Sequence, residues 1–249
     1  MGRPTSVIIR RITIMETALY LIPTTLGDTD AECVIPEYNR RIISAIKYFI
    51  VENVRSARRF LKKIDRAIDI DKLTFFVLDE HTDLTKIEPF LAPLKAGFAT
   101  GVISEAGCPA VADPGAAIVA LAHKKGFRVA PLAGPSSIIM ALMASGFNGQ
   151  NFAFNGYLPA KPDARVQRIK QLESRAYKEK QTQIFIEAPY RNMQLLSSLL
   201  SSLKNETKLC IAADITCKEE YIRTKSVAEW KKSPLPEINK IPAIFLLYV

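Results

Sequence analysis

The chain has 249 residues, enough for one large domain or two of ordinary size, and its 48% hydrophobic content is that of a protein with a full core. No apolar run approaches the roughly 18–20 residues of a membrane-spanning helix, and two histidines with four scattered cysteines, none in a CxxC pair, speak against a zinc site. Lys plus Arg is 34 against 25 for Asp plus Glu, a formal charge of +9; this favours a polyanionic partner such as RNA, with a solvated basic surface as the plainer alternative.

Residues 1–14 carry Arg3, Arg10 and Arg11 but no acidic residue, and their short apolar pieces are split by arginine. They do not make a secretory signal and are read as a leader outside the fold, with Met15 an alternative start. With no signal and dispersed thiols, a reducing cytoplasm is the expected compartment.

From there, ALYLIP at 18–23 predicts a buried strand. A helix is predicted over 36–49, a strand at 48–51 and a basic helix over 55–64. A strand follows at 74–78, a helix over 84–95 ending at Gly97, and a strand at 99–104. Residues 114–125 predict a helix with Pro114 in its first turn and Gly126 past its end, followed by a strand at 128–132. Such alternation is the pattern of a parallel sheet with helices on both faces. The second half changes character: a helix over 135–145, a strand at 152–157, a polar helix over 161–180, a strand at 183–187 and a helix over 190–203. Strands then follow at 208–214, 220–227 and 243–248. Adjacent strands with no helix between them imply a mixed sheet. The expected organisation is an N-terminal α/β domain over 15–133 and a C-terminal α/β domain over 134–249.

Three turns carry the chemistry. SEAGCPAVADPG (104–115) joins a predicted strand to a helix; Gly107 and Gly115 permit φ > 0 or close approach, and Pro109 and Pro114 stiffen it. LAGPSS (132–137) places Ser136 and Ser137 at a helix start, where a hydroxyl can cap the helix or face a ligand. PTTLGDTD (23–30) has one glycine and is neither the G-x-G-x-x-G fingerprint nor a P-loop, which argues against NAD and ATP.

In order, LYLIPTTLGD, VISEAGCPAVADPG, VAPLAGPSSIIMALMASGF, GYLPAK and IFIEAPYR resemble the tetrapyrrole methylase superfamily. Within it they are most similar to the small-subunit ribosomal RNA cytidine ribose 2′-O-methyltransferases. The resemblance implies two α/β domains, a homodimer, and S-adenosylmethionine held in a cleft between the domains. It implies cofactor contacts from Leu26 and Gly27, from Ala106, Gly107, Cys108 and Pro109, and from Val111 and Ala112. From the other half it implies Pro135, Ser136, Ser137 and Ile138, then Glu187, Ala213, Asp214, Pro242 and Ala243. Two stretches depart from the branch: its acidic–Asp–Thr–Arg–His–Thr run is here Glu52-Asn53-Val54-Arg55-Ser56-Ala57, and its Arg–Glu near the late strand is here Ala213-Asp214, which leaves the acceptor open to a tetrapyrrole, a protein or another RNA site, or to a protein that binds without catalysis.

Methyl transfer to a hydroxyl benefits from a base within hydrogen-bond reach. Glu105 and Glu187 rank first, ahead of Asp113 and Asp214. RNA contacts are expected from Arg55 on the basic helix and from Lys161 and Arg165 on the polar helix, against the alternative of solvated helix faces. His81 reads as a surface-loop residue, His123 as a late-helix residue whose cation suits the helix dipole, and Trp230 as a packing anchor.

Overall fold

Apolar side chains that alternate between two buried faces build the first sheet. The structure is a computed structural model that describes residues 15–249; the expected leader at 1–14 lies outside the described residues. Strand β1 (Leu19–Ile22), β2 (Tyr48–Val51), β3 (Thr74–Val77), β4 (Thr100–Ile103) and β5 (Val129–Pro131) run parallel in the order β3-β2-β4-β1-β5. Tyr20, Ile22, Phe49, Val51 and Ile103 pack into one core, while Leu19, Ile50 and Val102 pack into another on the opposite face. Burial on both faces is what an all-parallel sheet requires. Helices α1 (Ala31–Val34), α2 (Glu37–Ala45) and α3 (Val54–Ile64) cover the first face. The short α4 (Ala92–Lys95) and α5 (Gly115–Lys124) cover the second.

Two predicted helices differ from what forms. The helix predicted over 36–49 ends at Ala45, because Ile46 turns to extended φ/ψ to feed β2. The helix predicted over 84–95 breaks into 3-10 turns at Leu84–Lys86 and Glu88–Leu91 before α4. Pro89 and Pro93 supply no N–H for a continuous ladder.

After β5 the chain crosses through 132–136 into α6 (Ser137–Ser145), which packs on the second sheet. That sheet contains β6 (Phe152–Tyr157), β7 (Thr182–Ile186), β8 (Lys208–Ala213), β9 (Tyr221–Ser226) and β10 (Ala243–Tyr248), in the order β6-β7-β10-β8-β9. Only β6 and β7 pair in parallel; the other three pairings are antiparallel, so the sheet is mixed as expected. Helices α7 (Pro162–Glu179), α8 (Asn192–Ser202) and α9 (Val227–Lys232) cover its other face around Phe185, Ile211 and Phe245. The predicted strand over 220–227 stops at Ser226, which opens α9 through a reciprocal capping box with Glu229.

These topologies bring one edge of each sheet together. The carboxyl ends of β1, β2 and β4 lead into 23–30, 52–53 and 104–114. From the second sheet come the ends of β6, β7 and β8 and, because it runs antiparallel, the beginning of β10.

Candidate active site

Open α/β sheets bind ligands beyond the carboxyl ends of their strands, and a cavity of about 340 Å³ lies there, between the two sheets. This falls within the roughly 300–1,000 Å³ of small-molecule sites. The first sheet contributes Leu26, Glu52 and the loop residues Ser104, Glu105, Ala106, Val111, Ala112 and Asp113. Ser137 and Ile138 of α6 line it from the crossing, and Phe154, Tyr157, Ile186, Glu187, Pro189, Ala212, Asp214, Ile215 and Pro242–Ile244 close the other side.

The loop at 104–114 is held rigid from within. The Asp113 carboxylate accepts the N–H groups of Ala110 at 2.8 Å and Gly115 at 2.7 Å, and so ties the loop to the start of α5. Gly107 sits at φ +71°, and Ala110 (+66°) and Ala112 (+60°) share the left-handed region without being glycine. Asp214 across the cavity does the same at +52°. Such conformations cost about 1–3 kcal/mol each and persist where the surroundings over-determine them, often at ligand sites. The facing turn touches this loop: the Cys108 thiol donates to the Pro135 carbonyl at 3.4 Å. Ser136 caps α6 by accepting the Ile139 N–H at 3.4 Å.

The expected contact residues therefore divide. Leu26, Ala106, Val111, Ala112, Ser137, Ile138, Glu187, Asp214, Pro242 and Ala243 line the cavity. Gly27, Gly107, Cys108, Pro109, Pro135 and Ser136 do not line it; Cys108 instead bonds Pro135 and Ser136 caps α6. Ala213 points away, into the core under α7 and α8, because its neighbour Ala212 takes the cleft side of the alternating strand.

Carboxylates dominate the polar lining. Glu52 accepts the Glu105 N–H at 3.2 Å, and the Glu105 carboxylate accepts from the Ser56 hydroxyl at 2.5 Å. Burial pushes the Glu52 carboxyl above its ordinary range; the Glu105 N–H pulls it back, and the charges of Asp113 and Glu105 push it further up. Burial likewise raises Asp113, against the two N–H groups it accepts. Glu187 is buried, and its Oε1 accepts from Arg191 Nη2 at 2.6 Å, from Arg191 Nε at 2.9 Å and from its neighbour's N–H at 2.7 Å. Its Oε2 is buried without a partner. Among the described residues no cluster of His, Cys, Asp and Glu could hold a metal ion, and no helix is long and apolar enough to cross a membrane.

The raised Glu52 gives a signed pH dependence. An acid whose folded pKa lies above its unfolded value destabilises the fold while ionised, and that cost disappears as pH falls through the folded pKa. Glu52→Gln keeps an acceptor for the Glu105 N–H and removes the charge. It should melt above the parent near neutral pH, with the difference shrinking as pH falls toward the ordinary carboxylate value of about 4. Equal melting temperatures across that range in a scanning calorimeter would contradict the assignment.

Of the expected RNA contacts, Arg55 is exposed at the start of α3, three residues past the cavity-lining Glu52, and Lys161 is exposed at the N-cap of α7. Arg165 is a correction. It is only 5% exposed, because it shares the inward stripe of α7 with Ile169, Leu172 and Ala176, at steps of four, three and four residues. Glu52 and the exposed Tyr157 and Tyr190 had no assigned place at the site; Tyr157 lies within GYLPAK and Tyr190 within IFIEAPYR.

No family profile matches the chain. It is 30% identical over 211 residues to the ribosomal RNA small subunit methyltransferase I of Vibrio cholerae, covering 85% of this chain and 69% of that protein. To the protein of the same name from Mesorhizobium japonicum it is 32% identical over 210 residues, covering 84% and 67%. Among solved structures, the methyltransferase CobJ superposes with a TM-score of 0.59 at 17% identity, over 87% of this chain and 89% of that one, a likeness of fold. The five ordered motifs, the two-sheet architecture and these identities agree: the chain belongs to the ribosomal RNA small subunit methyltransferase I family, within the tetrapyrrole methylases.

Proposed function

We propose that this protein uses S-adenosylmethionine to methylate a ribose 2′-hydroxyl, that of a cytidine, in small-subunit ribosomal RNA. As a member of its family the chain is a methyltransferase acting on ribosomal RNA. The observation that carries the donor assignment is the cleft between the sheets, whose polar lining is acidic although the whole chain is basic; the cytidine ribose follows from the resemblance of the five ordered motifs. Glu52, Glu105, Asp113 and Asp214 surround the space with negative charge, which suits a cationic sulfonium donor. Leu26, Ile138, Ile186 and Ile244 give apolar walls for its adenine. The unpartnered Oε2 of Glu187 and the stiff backbone at 105–112 offer polar groups to the rest of the molecule.

When bound, the donor supplies a methyl group on a sulfonium, and its transfer breaks a C–S bond as an O–C bond forms. The chain's own residues align the acceptor, exclude water and receive the hydroxyl proton. Two carboxylates are placed to receive it: Glu105, exposed on the rim, and the free Oε2 of Glu187. Arg55 and Lys161, exposed on opposite halves, are the proposed phosphate contacts. A cytoplasmic homodimer completes the reading. The free thiols fit a reducing compartment, and Ile139 and Met143 expose an apolar face of α6 suited to a second copy.

The test is transfer of labelled methyl from S-adenosylmethionine to small ribosomal subunits from a strain lacking this protein, with the product nucleotide mapped. The expected product is a 2′-O-methylated cytidine. The paired variant Glu105→Gln/Glu187→Gln should lower turnover at saturating donor by about 10²–10⁴-fold, the usual worth of general base catalysis. Label appearing only in protein or tetrapyrrole would refute the acceptor assignment, and undiminished turnover in the variant would remove both carboxylates from proton transfer.

A further inference from the structure

We infer that Tyr157, Arg191 and Tyr190 form a stacking platform beside the cleft, on which the base of an unpaired RNA nucleotide rests. The inference deepens the RNA reading above and rests on it. Tyr157 and Tyr190 are 62% and 63% exposed, large aromatic rings left open to solvent at the rim. Tyr157 lines the cavity itself, and Tyr190 follows Pro189, which also lines it.

Their placement is enforced by the backbone. The parallel pairing of β6 with β7 slips between Phe154 and Tyr157, and Gly156 sits at φ +62° in that irregularity. A bulge of this kind re-aims the next side chain, and it sets Tyr157 beside Ile186, one residue before Glu187. Tyr190 and Arg191 lie in the 3-10 turn Pro189–Arg191 that follows. The Arg191 guanidinium lies 5.3 Å from the centre of the Tyr190 ring, and its Nη1 is 3.3 Å from the Tyr190 hydroxyl. Its Nε and Nη2 are both anchored on the buried Glu187 Oε1, which fixes the plane of the guanidinium. The hydrogen bond to Glu187 raises the Arg191 pKa, against desolvation, and the Glu187 charge adds to it, so the group stays a cation beside the Tyr190 ring.

Flat aromatic and guanidinium faces are what unstacked RNA bases bind, and stacking tolerates any base. The rings stand beside the cavity, so a base held there leaves its ribose at the cavity mouth. Lys161, four residues past Tyr157 and exposed, is the cation available to the adjoining phosphate. Tyr157 and Tyr190 are positioning residues in this account: they hold the acceptor and take no part in bond making.

The experiment uses the full chain, a single-stranded RNA carrying 4-thiouridine, and small ribosomal subunits from a strain lacking the protein. Irradiation should crosslink the thiouridine RNA to peptides containing Tyr157 or Tyr190. Tyr157→Ala and Tyr190→Ala should each raise KM for the subunits roughly tenfold, the effect of losing about one stacking contact. In Tyr190→Ala, whose ring does not line the cavity, turnover at saturation and donor affinity should stay near the parent values, and the Phe variants should restore KM. Crosslinks mapping only elsewhere, unchanged KM in both Ala variants, or a loss of donor affinity that accounts for the KM change would each overturn the platform. Should the parent crosslink at these tyrosines but transfer no methyl to ribosomal subunits, the acceptor assignment falls while the platform is supported.

Discussion

Gly134→Ala should lower kcat/KM by about 100-fold, the scale of effect that a 1 Å misplacement of a reacting group produces. A Cβ at this position would stand 2.2 Å from Cγ and 2.5 Å from Cβ of Pro23. A proline ring cannot swing aside as the end of a long side chain does, so backbone must move. The two segments that would part are the floor loop after β1, which carries Leu26, and the turn that presents Ser137 and Ile138. Overpacking of this kind costs about 1–3 kcal/mol in stability, while the loss of alignment falls on donor binding and turnover together. Gly149→Ala is the control, since nothing lies within 4 Å of a Cβ there. Donor titration and initial rates on both variants decide the matter. A Gly134→Ala protein with parental donor affinity and rate would show that the two turns need no such close approach.

Trp230→Ala carries the largest expected loss of stability, about 3–5 kcal/mol by analogy with other buried aromatic truncations. Trp230 has no exposed surface, and its indole N–H donates to the Leu209 carbonyl in β8 at 2.9 Å. The ring joins α9 to the core shared with α7 and α8, and Lys225 lies 4.7 Å from its centre. For a chain of this size each kcal/mol moves Tm by about 2–4 °C, so the midpoint should fall on the order of 10 °C. Trp230→Phe should lose less, because it keeps most of the packing and forfeits only the indole hydrogen bond. Donor affinity measured well below the midpoint should remain parental, since Trp230 does not line the cleft. A fall of a degree or two in a calorimetric scan would contradict this packing account.

The fold was legible where periodicity and punctuation agree. Runs such as LYLI and TFFV are short, apolar and bounded by turn residues, and they form the expected strands. The first failure lies where proline interrupts a helical pattern: residues 84–95 have helical spacing, yet Pro89 and Pro93 divide them. A second lies at α9, whose Ser226-Val227-Ala228-Glu229 signature was present but ran directly on from a β-rich stretch. For the site, the ordered glycine and proline turns are segments that the fold brings to one cavity. They did not say which atoms face the cleft, since that depends on strand alternation, as for Ala212 and Ala213, and on a backbone bulge, as for Tyr157. Arg165 carries the charge of its neighbours, but its spacing to Ile169, Leu172 and Ala176 places it on the inward stripe.

The account rests on one cleft formed jointly by the two sheets, with the donor bound there. The most direct measurement is amide hydrogen exchange of the full chain with and without saturating S-adenosylmethionine. Slowed exchange is predicted in both halves at once, over the loop at 104–113 from the first side, and over the start of α6, 186–187 and 243–244 from the other. Protection confined to one sheet, or placed away from both edges, would contradict it.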